Sequence, residues 1–291
     1  MKPSPFTYHD PHSLDEALAL LNQYGEEARI IAGGQSLVAM MNLRLAQPDH
    51  LIDINNIPVL NGIECQDRLL QIGALTSHQD ILQSELVRQS CPILTNAAAH
   101  IGHYAIRQRG TIGGSLSHAD PAAEWPMIAI LLDGEMEIAQ LSGEKRTLGA
   151  RDFIQSIYTT DLAPEEILTK ISFPCLEENE GWAFKPFARR RGDYFIVAVA
   201  ACLTLDQSGR IKRLRLCLGG MEATAIRLDE IEQGSIAHLP DENWIREVAK
   251  AACNEGNPVD DHNADVEYRR ELVEILVTDA LQDAFKGTQR G

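Results

Sequence analysis

The sequence predicts an α/β protein that passes into an α+β one, on three observations. The first fifty-odd residues alternate helix and strand in the manner of β–α units. A short apolar run leads into two adjacent glycines and then a serine twice, in IIAGGQSL (30–37) and GTIGGSL (110–116). Beyond residue 178 the texture changes to long strands followed by two helices. At 291 residues the chain has the length for two compact units, one of them subdivided.

The elements follow in order. SLDEALALLNQYG opens with Ser13 and Glu16 in capping-box spacing, places Leu14, Ala17, Leu18 and Leu21 on one face, and stops at Gly25. ARIIA is a buried strand running into Gly33 and Gly34. SLVAMMNLRLA reads as a helix that ends before Pro48, and HLIDI as a strand, which completes a subdomain over residues 1–55. Residues 56–177 form the second. RLLQIGA is a strand, SHQDILQSELV and ILTNAAAHI are helical, GTIGGSL is a turn, and EWPMIAILLD is a buried helix. EMEIAQL and KRTLG make a hairpin around Ser142 and Gly143, and EEILTKISFP is a strand that exits at Pro174. CLEENEGW has no periodicity and reads as a linker. In residues 178–291, AFKPFARRRGDYFIVAVAACLTLD and RIKRLRLCLGGM are long strands separated by Gln207, Ser208 and Gly209. The helices DENWIREVAKAACNE and ADVEYRRELVEILVTDALQDAF follow.

Composition excludes several classes. The formal net charge is -16 and the pI near 4.9, which argues against nucleic acid or an anionic membrane as partner. A small anion held locally by backbone N–H groups stays compatible with that charge. No run approaches the roughly 18 apolar residues of a membrane span, and MKPSPFTYHDPHS has no apolar core of a secretory signal, so a cytoplasmic protein is expected. Six cysteines are scattered without a C-x-x-C pair, which disfavours zinc and iron–sulfur sites. In the cytosol disulfides are unexpected too, leaving buried, inert thiols as the reading.

A strand ending in Gly-Gly can turn with positive φ and lets a ligand approach the main chain. Consecutive N–H groups there form an anion nest, reinforced where a helix begins directly after. Ser36 and Ser115 add hydroxyls. One such loop is better explained as a tight β–α turn. Two suggest a diphosphate held from both sides, hence a dinucleotide. Neither loop is G-x-G-x-x-G or G-x-x-x-x-G-K-[ST], which disfavours Rossmann and P-loop binding. Thr111, Ser117, His118, Asp120 and Glu124 crowd the second loop and suit sugar hydroxyls and a polar heterocycle edge. Asp120 before Pro121 also reads as a helix cap, and Glu124 as a first-turn acid.

AGGQSL, NLRLAQPDHLIDINNI, IRQRGTIGGSLSHADPAAEWP and RRRGDY, in this order, resemble the FAD-binding medium subunits of molybdenum hydroxylases. That family includes the flavoprotein subunit of carbon monoxide dehydrogenase and the flavin domain of xanthine dehydrogenase. The resemblance runs from about Tyr8 to Ala284. It implies a FAD-binding fold of the vanillyl-alcohol-oxidase type, with two α/β subdomains, then a C-terminal α+β domain with an antiparallel sheet and helices. It implies that Ile31, Ala32, Gly33, Gly34, Gln35, Ser36 and Leu37 wrap the pyrophosphate and adenylate side of FAD. Gly110, Thr111, Ile112, Gly113, Gly114 and Ser115 would hold the pyrophosphate and ribityl part, with His118 and Asp120 beside them. Glu124 stands where the family commonly has Asp for the ribityl chain or ring side, and Ser115 where it often has Asn or Asp. Leu168 matches an apolar residue near the isoalloxazine, Lys185 a cation near its pyrimidine edge, and Tyr194 the loop that flanks the ring. The run Arg189, Arg190 and Arg191 is a solvated face, or a site for a carboxylate-rich partner or a nicotinamide dinucleotide.

The resemblance further implies one subunit of a complex, because this chain carries no cluster motif and no molybdopterin signature. A molybdenum large subunit would hydroxylate the substrate with water, and an iron–sulfur small subunit would pass electrons to FAD. FAD would deliver them to NAD, a quinone, a protein carrier or oxygen, in a dimer of heterotrimers. No residue of this chain is then expected to be catalytic toward the primary substrate or to bind a metal. Carbon monoxide, an N-heterocycle and an aldehyde remain open as substrates. Two alternatives stand beside this: a flavin-free scaffolding subunit, and a stand-alone flavin oxidase. Against the latter, the chain has no extra substrate domain and no His or Cys placed to anchor FAD covalently.

Overall fold

The first sheet is parallel, with His50–Asp53 between Thr7–His9 and Ala28–Ile31. This is a computed structural model describing residues 2–289. Residues 1, 290 and 291, at the outer ends of the first and third expected units, lie outside the described residues. The helix Leu14–Tyr24 forms as its sequence dictates. The Ser13 hydroxyl accepts the Glu16 amide at 3.2 Å, and Gly25 ends the helix at φ 51°. Ala17, Leu18 and Leu21 bury against Ala28, Ile52 and Ile54. The helix expected over SLVAMMNLRLA is shorter, Leu37–Asn42. Arg44 takes φ 59°, and the amides of Leu43, Arg44 and Leu45 fold back onto Ala39, Met41 and Met40. The strand Thr7–His9 is too short to carry a periodic signal and is fixed by pairing with His50–Ile52.

The second sheet is antiparallel, in the order Ile63–Gln66, Leu69–Gly73, Ile167–Pro174, Glu135–Ala139, Lys145–Gly149. The helix expected over SHQDILQSELV is two, His78–Gln83 and Glu85–Ser90. Ser84 ends the first and caps the second, accepting the Val87 amide at 3.2 Å. GTIGGSL is not a free turn. Thr111 caps a helix, Ile112–His118, and both glycines lie in its first turn. Glycine is a poor helix former, and packing explains it here: a methyl group at Gly113 would lie 2.5 Å from the Ala74 methyl.

The third sheet, also antiparallel, runs Gly181–Phe187, Val197–Leu205, Ile211–Gly219, Ile226–Arg227. The long strand expected over AFKPFARRRGDYFIVAVAACLTLD is therefore two, interrupted by a loop that carries the three arginines. Val197–Leu205 is buried on both faces. Val197, Val199, Ala201 and Leu203 meet the helices Glu242–Ala252 and Val266–Thr288. Ala198, Ala200 and Cys202 share a core with Trp125, Ile128 and Ile93 of the preceding region. Beside this wall Glu180 is buried and bonds Arg215 at 2.7 Å and Arg213 at 3.1 Å.

Candidate functional site

The two glycine loops meet. Ala32–Ser36 leaves the C-terminal end of a parallel strand, the edge at which α/β sheets place ligands. A methyl group at Gly33 would lie 1.9 Å from the Arg109 carbonyl oxygen and 2.9 Å from the Gly110 Cα. Only glycine permits so close an approach of two backbones. A methyl at Gly114 would lie 4.0 Å from the Ala32 methyl, across the same gap. Gly34 has φ 69°, which turns the chain toward Leu37–Asn42. Gly33 thus serves contact between loops, Gly34 the turn, and Gly113 the seat of a helix on Ala74.

The loops differ in their amides. Among the described residues, none of the six consecutive backbone N–H groups from Ala32 to Leu37 has an acceptor within the chain. The carbonyls around them are taken. Gly33 accepts from Gln35 Nε2 at 3.0 Å, Ala32 from Asn55 Nδ2 at 2.9 Å, and Gly34 from the Val38 amide at 3.0 Å. A stretch of donors with no protein acceptor suits an anion. The second loop is occupied: Ile112 donates to Thr76 at 3.1 Å, Gly113 to Ala74 at 2.9 Å, and Gly114 to Thr111 Oγ1 at 3.0 Å. Its amides tie the helix to the sheet, leaving exposed Gly114 and half-buried Ser115 to meet a ligand.

Beyond the second loop stands a group of acids and phenols. Asp120 Oδ1 accepts the Ala122 amide at 2.9 Å, and the Tyr158 hydroxyl donates to Asp120 Oδ2 at 3.3 Å. The His118 ring stacks on Tyr158 at 4.8 Å. Burial lowers the pKa of His118, and Asp120 works the other way. Glu124 is only 6% exposed, and burial pushes its carboxyl up to about 7. Its own amide opposes that shift, and the charge of Asp120 adds to it. Tyr194 is pushed up to about 12, first by burial and then by the negative charges of Asp120 and Glu124. The nearby Ser36 hydroxyl works in the opposite direction. Tyr194 therefore reaches the first glycine loop and faces the acids of the second wall, while 56% of it stays exposed.

Sequence reasoning missed His78, Trp125 and Tyr158. His78 Nδ1 accepts the Trp125 indole N–H at 3.0 Å, and burial holds the ring neutral, with its pKa lowered to about 3. A methyl at Gly110 would lie 2.7 Å from His78 Nε2, so His78 packs beneath the second loop. Trp125 follows Glu124 and was legible as helix core, whereas Tyr158 sits at φ 53° between two strands and carries no pattern.

Leu168 and Lys185 were expected beside the flavin ring rather than at the glycine loops. Leu168 is 4% exposed, inside the cluster that holds Ile112 and Leu116. Lys185 bonds Asp283 of the C-terminal helix at 2.5 Å. Along its strand Ala183 belongs to the core against that helix and Phe184 to the opposite one, so Lys185 shares the face of the C-terminal helix. Replacing Lys185 by alanine is expected to leave flavin content unchanged and to cost no more than about 1 kcal/mol, the scale of a partly exposed ion pair. Flavin quantitation and a melting curve of the variant check both. Arg189 donates to the carbonyls of His262 and Asn263 at 3.1 and 2.9 Å, and Arg190 is 3.9 Å from Asp193. Two surface hollows of about 480 and 510 Å³ lie elsewhere, around Trp244 and between Arg68 and Arg215.

Free amides on one loop, glycine contact with a second, and polar side chains beyond it fit a protein that binds a phosphate-bearing cofactor. Residues 4–176 match the family model described as the FAD binding domain in molybdopterin dehydrogenase, and residues 182–284 the CO dehydrogenase flavoprotein C-terminal domain. The chain belongs to this family of FAD-binding flavoprotein subunits. It is 39% identical to the 6-hydroxypseudooxynicotine dehydrogenase complex subunit alpha of Paenarthrobacter nicotinovorans, over 98% of this chain and 96% of that one. It is 35% identical to the carbon monoxide dehydrogenase medium chain of Hydrogenophaga pseudoflava, over 98% and 99%. Among solved structures, the Hydrogenophaga carbon monoxide dehydrogenase lacking the Mo-pyranopterin moiety superposes with a TM-score of 0.95 at 34% identity, covering 99% of both chains. Quinoline 2-oxidoreductase from Pseudomonas putida 86 gives 0.94 at 34%, again over 99% of both. The chain is accordingly an oxidoreductase flavoprotein subunit whose cofactor is FAD. No helix among the described residues is long and apolar enough to cross a membrane.

Proposed function

We propose that this chain is the electron-carrying flavin subunit of a cytoplasmic molybdenum hydroxylase. Its partners are an iron–sulfur small subunit and a molybdenum large subunit, assembled as a dimer of heterotrimers. The observation that carries the reading is the run of six free amides, Ala32 to Leu37, set against the second glycine loop. It supports a flavin-bearing subunit over a flavin-free scaffold, because those donors sit where a second loop meets the first across a glycine contact. Bound there, FAD would supply the redox chemistry between the iron–sulfur partner and an acceptor such as NAD, a quinone or oxygen.

The chain's own residues bind, orient and shield. The amides of residues 32–37 and the hydroxyls of Ser36 and Ser115 hold the pyrophosphate. Thr111 keeps the second loop in place through its cap on Gly114. Asp120 and Glu124 meet the polar groups of the ribityl side. With its pKa raised to about 7, Glu124 is only partly ionised near neutral pH, so it can donate as well as accept a hydrogen bond there. Tyr194 covers the end of the cleft and keeps water from it.

The test is flavin content in the assembled complex. One FAD per copy of this chain is expected, with visible absorbance that bleaches when the primary substrate is added without an external acceptor. A complete three-subunit complex that contains no flavin overturns the reading.

A further inference from the structure

The sequence places Cys65 and Cys175 far apart, and the fold brings their Sγ atoms to 3.4 Å. Cys65 lies on the edge strand Ile63–Gln66 and is exposed. That strand turns back through Asp67 and Arg68, both with positive φ, into Leu69–Gly73. Cys175 is the first residue after the strand Ile167–Pro174. Its amide donates to the Arg68 carbonyl at 2.8 Å, and the next amide, of Leu176, to Ser90 at 2.9 Å. Arg68 Nη2 in turn donates to the Leu176 carbonyl at 3.1 Å. The two thiols are thus held together by backbone on both sides of Cys175. The remaining cysteines have no such partner among the described residues: Cys91, Cys202 and Cys217 are buried, and the Cys253 thiol donates to the Lys250 carbonyl. Buried, inert thiols were expected throughout; Cys65 is exposed, Cys175 and Cys253 are half-buried, and Cys65 and Cys175 face each other.

The geometry points to Cys65 and Cys175 as a reversible dithiol–disulfide site that reacts with low-molecular-weight disulfides of the glutathione type. The exposed Cys65 thiolate attacks one sulfur of the small disulfide, forming a mixed disulfide and releasing one small thiolate. The Cys175 thiolate then attacks the Cys65 sulfur, closing the protein disulfide and releasing the second. Two protein thiols are oxidised, one small disulfide is reduced to two thiols, and the two protons pass to the released thiolates. In a reducing compartment the pair stays open, and it closes when the poise turns oxidising.

Closure fastens the Asp67–Arg68 turn to the connection that leads into the third sheet. That connection carries Glu177 and Glu180, the partners of Arg213 and Arg215. A bond closing so long a loop constrains the unfolded chain strongly. It should raise the melting temperature of the subunit, and reduction should restore the lower value.

The experiment uses the purified complex, incubated with oxidised glutathione and then alkylated. The expected result is a chain lighter by two hydrogens, a peptide joining Cys65 to Cys175, a melting temperature several degrees higher, and full reversal by dithiothreitol. Cys65→Ser is expected to give no adduct and no shift. Cys175→Ser should arrest at a glutathione adduct on Cys65, which shows that the first step proceeds in a folded protein. A wild-type chain that keeps both thiols free, that stops at the adduct, or that links a different pair overturns the proposal.

Discussion

Replacing Gly33 by valine is expected to weaken the subunit's hold on flavin and lower its flavin content. The new Cβ would sit 1.9 Å from the Arg109 carbonyl oxygen and 2.6 Å from its carbon, both backbone atoms of the facing loop. No side chain can swing aside to relieve that contact, so the loops must part. Overpacking of this kind costs about 1–3 kcal/mol, and each 1.4 kcal/mol lost from binding is about tenfold in affinity. Flavin affinity should fall roughly ten- to a hundredfold while the third sheet and its helices, remote from the change, stay folded. Gly234, whose Cβ would meet nothing within 4 Å, provides the comparison: its alanine variant should keep its flavin. Flavin per chain, measured on assembled complexes of both variants, decides the matter. Full occupancy with Gly33→Val would mean that the contact between loops does not shape the cleft.

The pH dependence of stability should carry the signature of Glu124. Its carboxyl in the folded protein titrates near 7, well above the ordinary value of 4.5, because burial penalises the charged form. Between those values the folded state binds the proton and the unfolded state does not. Stability therefore falls as pH rises from about 4.5 to 7, and stays reduced above that. The shift corresponds to about 3 kcal/mol at the alkaline end. Glu124→Gln removes the charge and keeps the shape. Its melting temperature, measured on the flavin-free subunit, should match the parent near pH 4 and exceed it by several degrees at pH 8. Parallel melting curves across that range would contradict the assignment.

Local signals in the sequence were reliable where local chemistry decides the structure. The Ser13–Glu16 cap, the strands ARIIA and HLIDI, and the two final helices all follow from periodicity and capping. Where a distant residue decides, the reading slipped. GTIGGSL looks like a turn until Ala74 takes up the space that a side chain at Gly113 would need. AFKPF and FIVAVAACLTLD look continuous because both faces of the sheet are apolar, and only Gly192, at φ 89°, marks the break. The same two-faced burial hid which way Lys185 points. Tyr158 entered the cluster around Asp120 without a sequence signal, because a single positive-φ tyrosine between two strands has no pattern of its own. The glycine pairs were legible as a dinucleotide device. Their division of labour, one loop with free amides and the other with its amides spent on the sheet, was not.

The strand Val197–Leu205 has a mechanical consequence. Its two faces belong to two different cores, so it is a wall common to the FAD-binding and C-terminal parts. Swinging these parts about a hinge would strip Phe184, Phe195, Ala198, Ala200 and Cys202 from the apolar cluster they share with Trp125 and Ile128. Large hinge closure of the kind many two-domain enzymes use is thus denied to this molecule. The geometry set up by the two glycine loops is therefore held fixed relative to the C-terminal sheet and its helices.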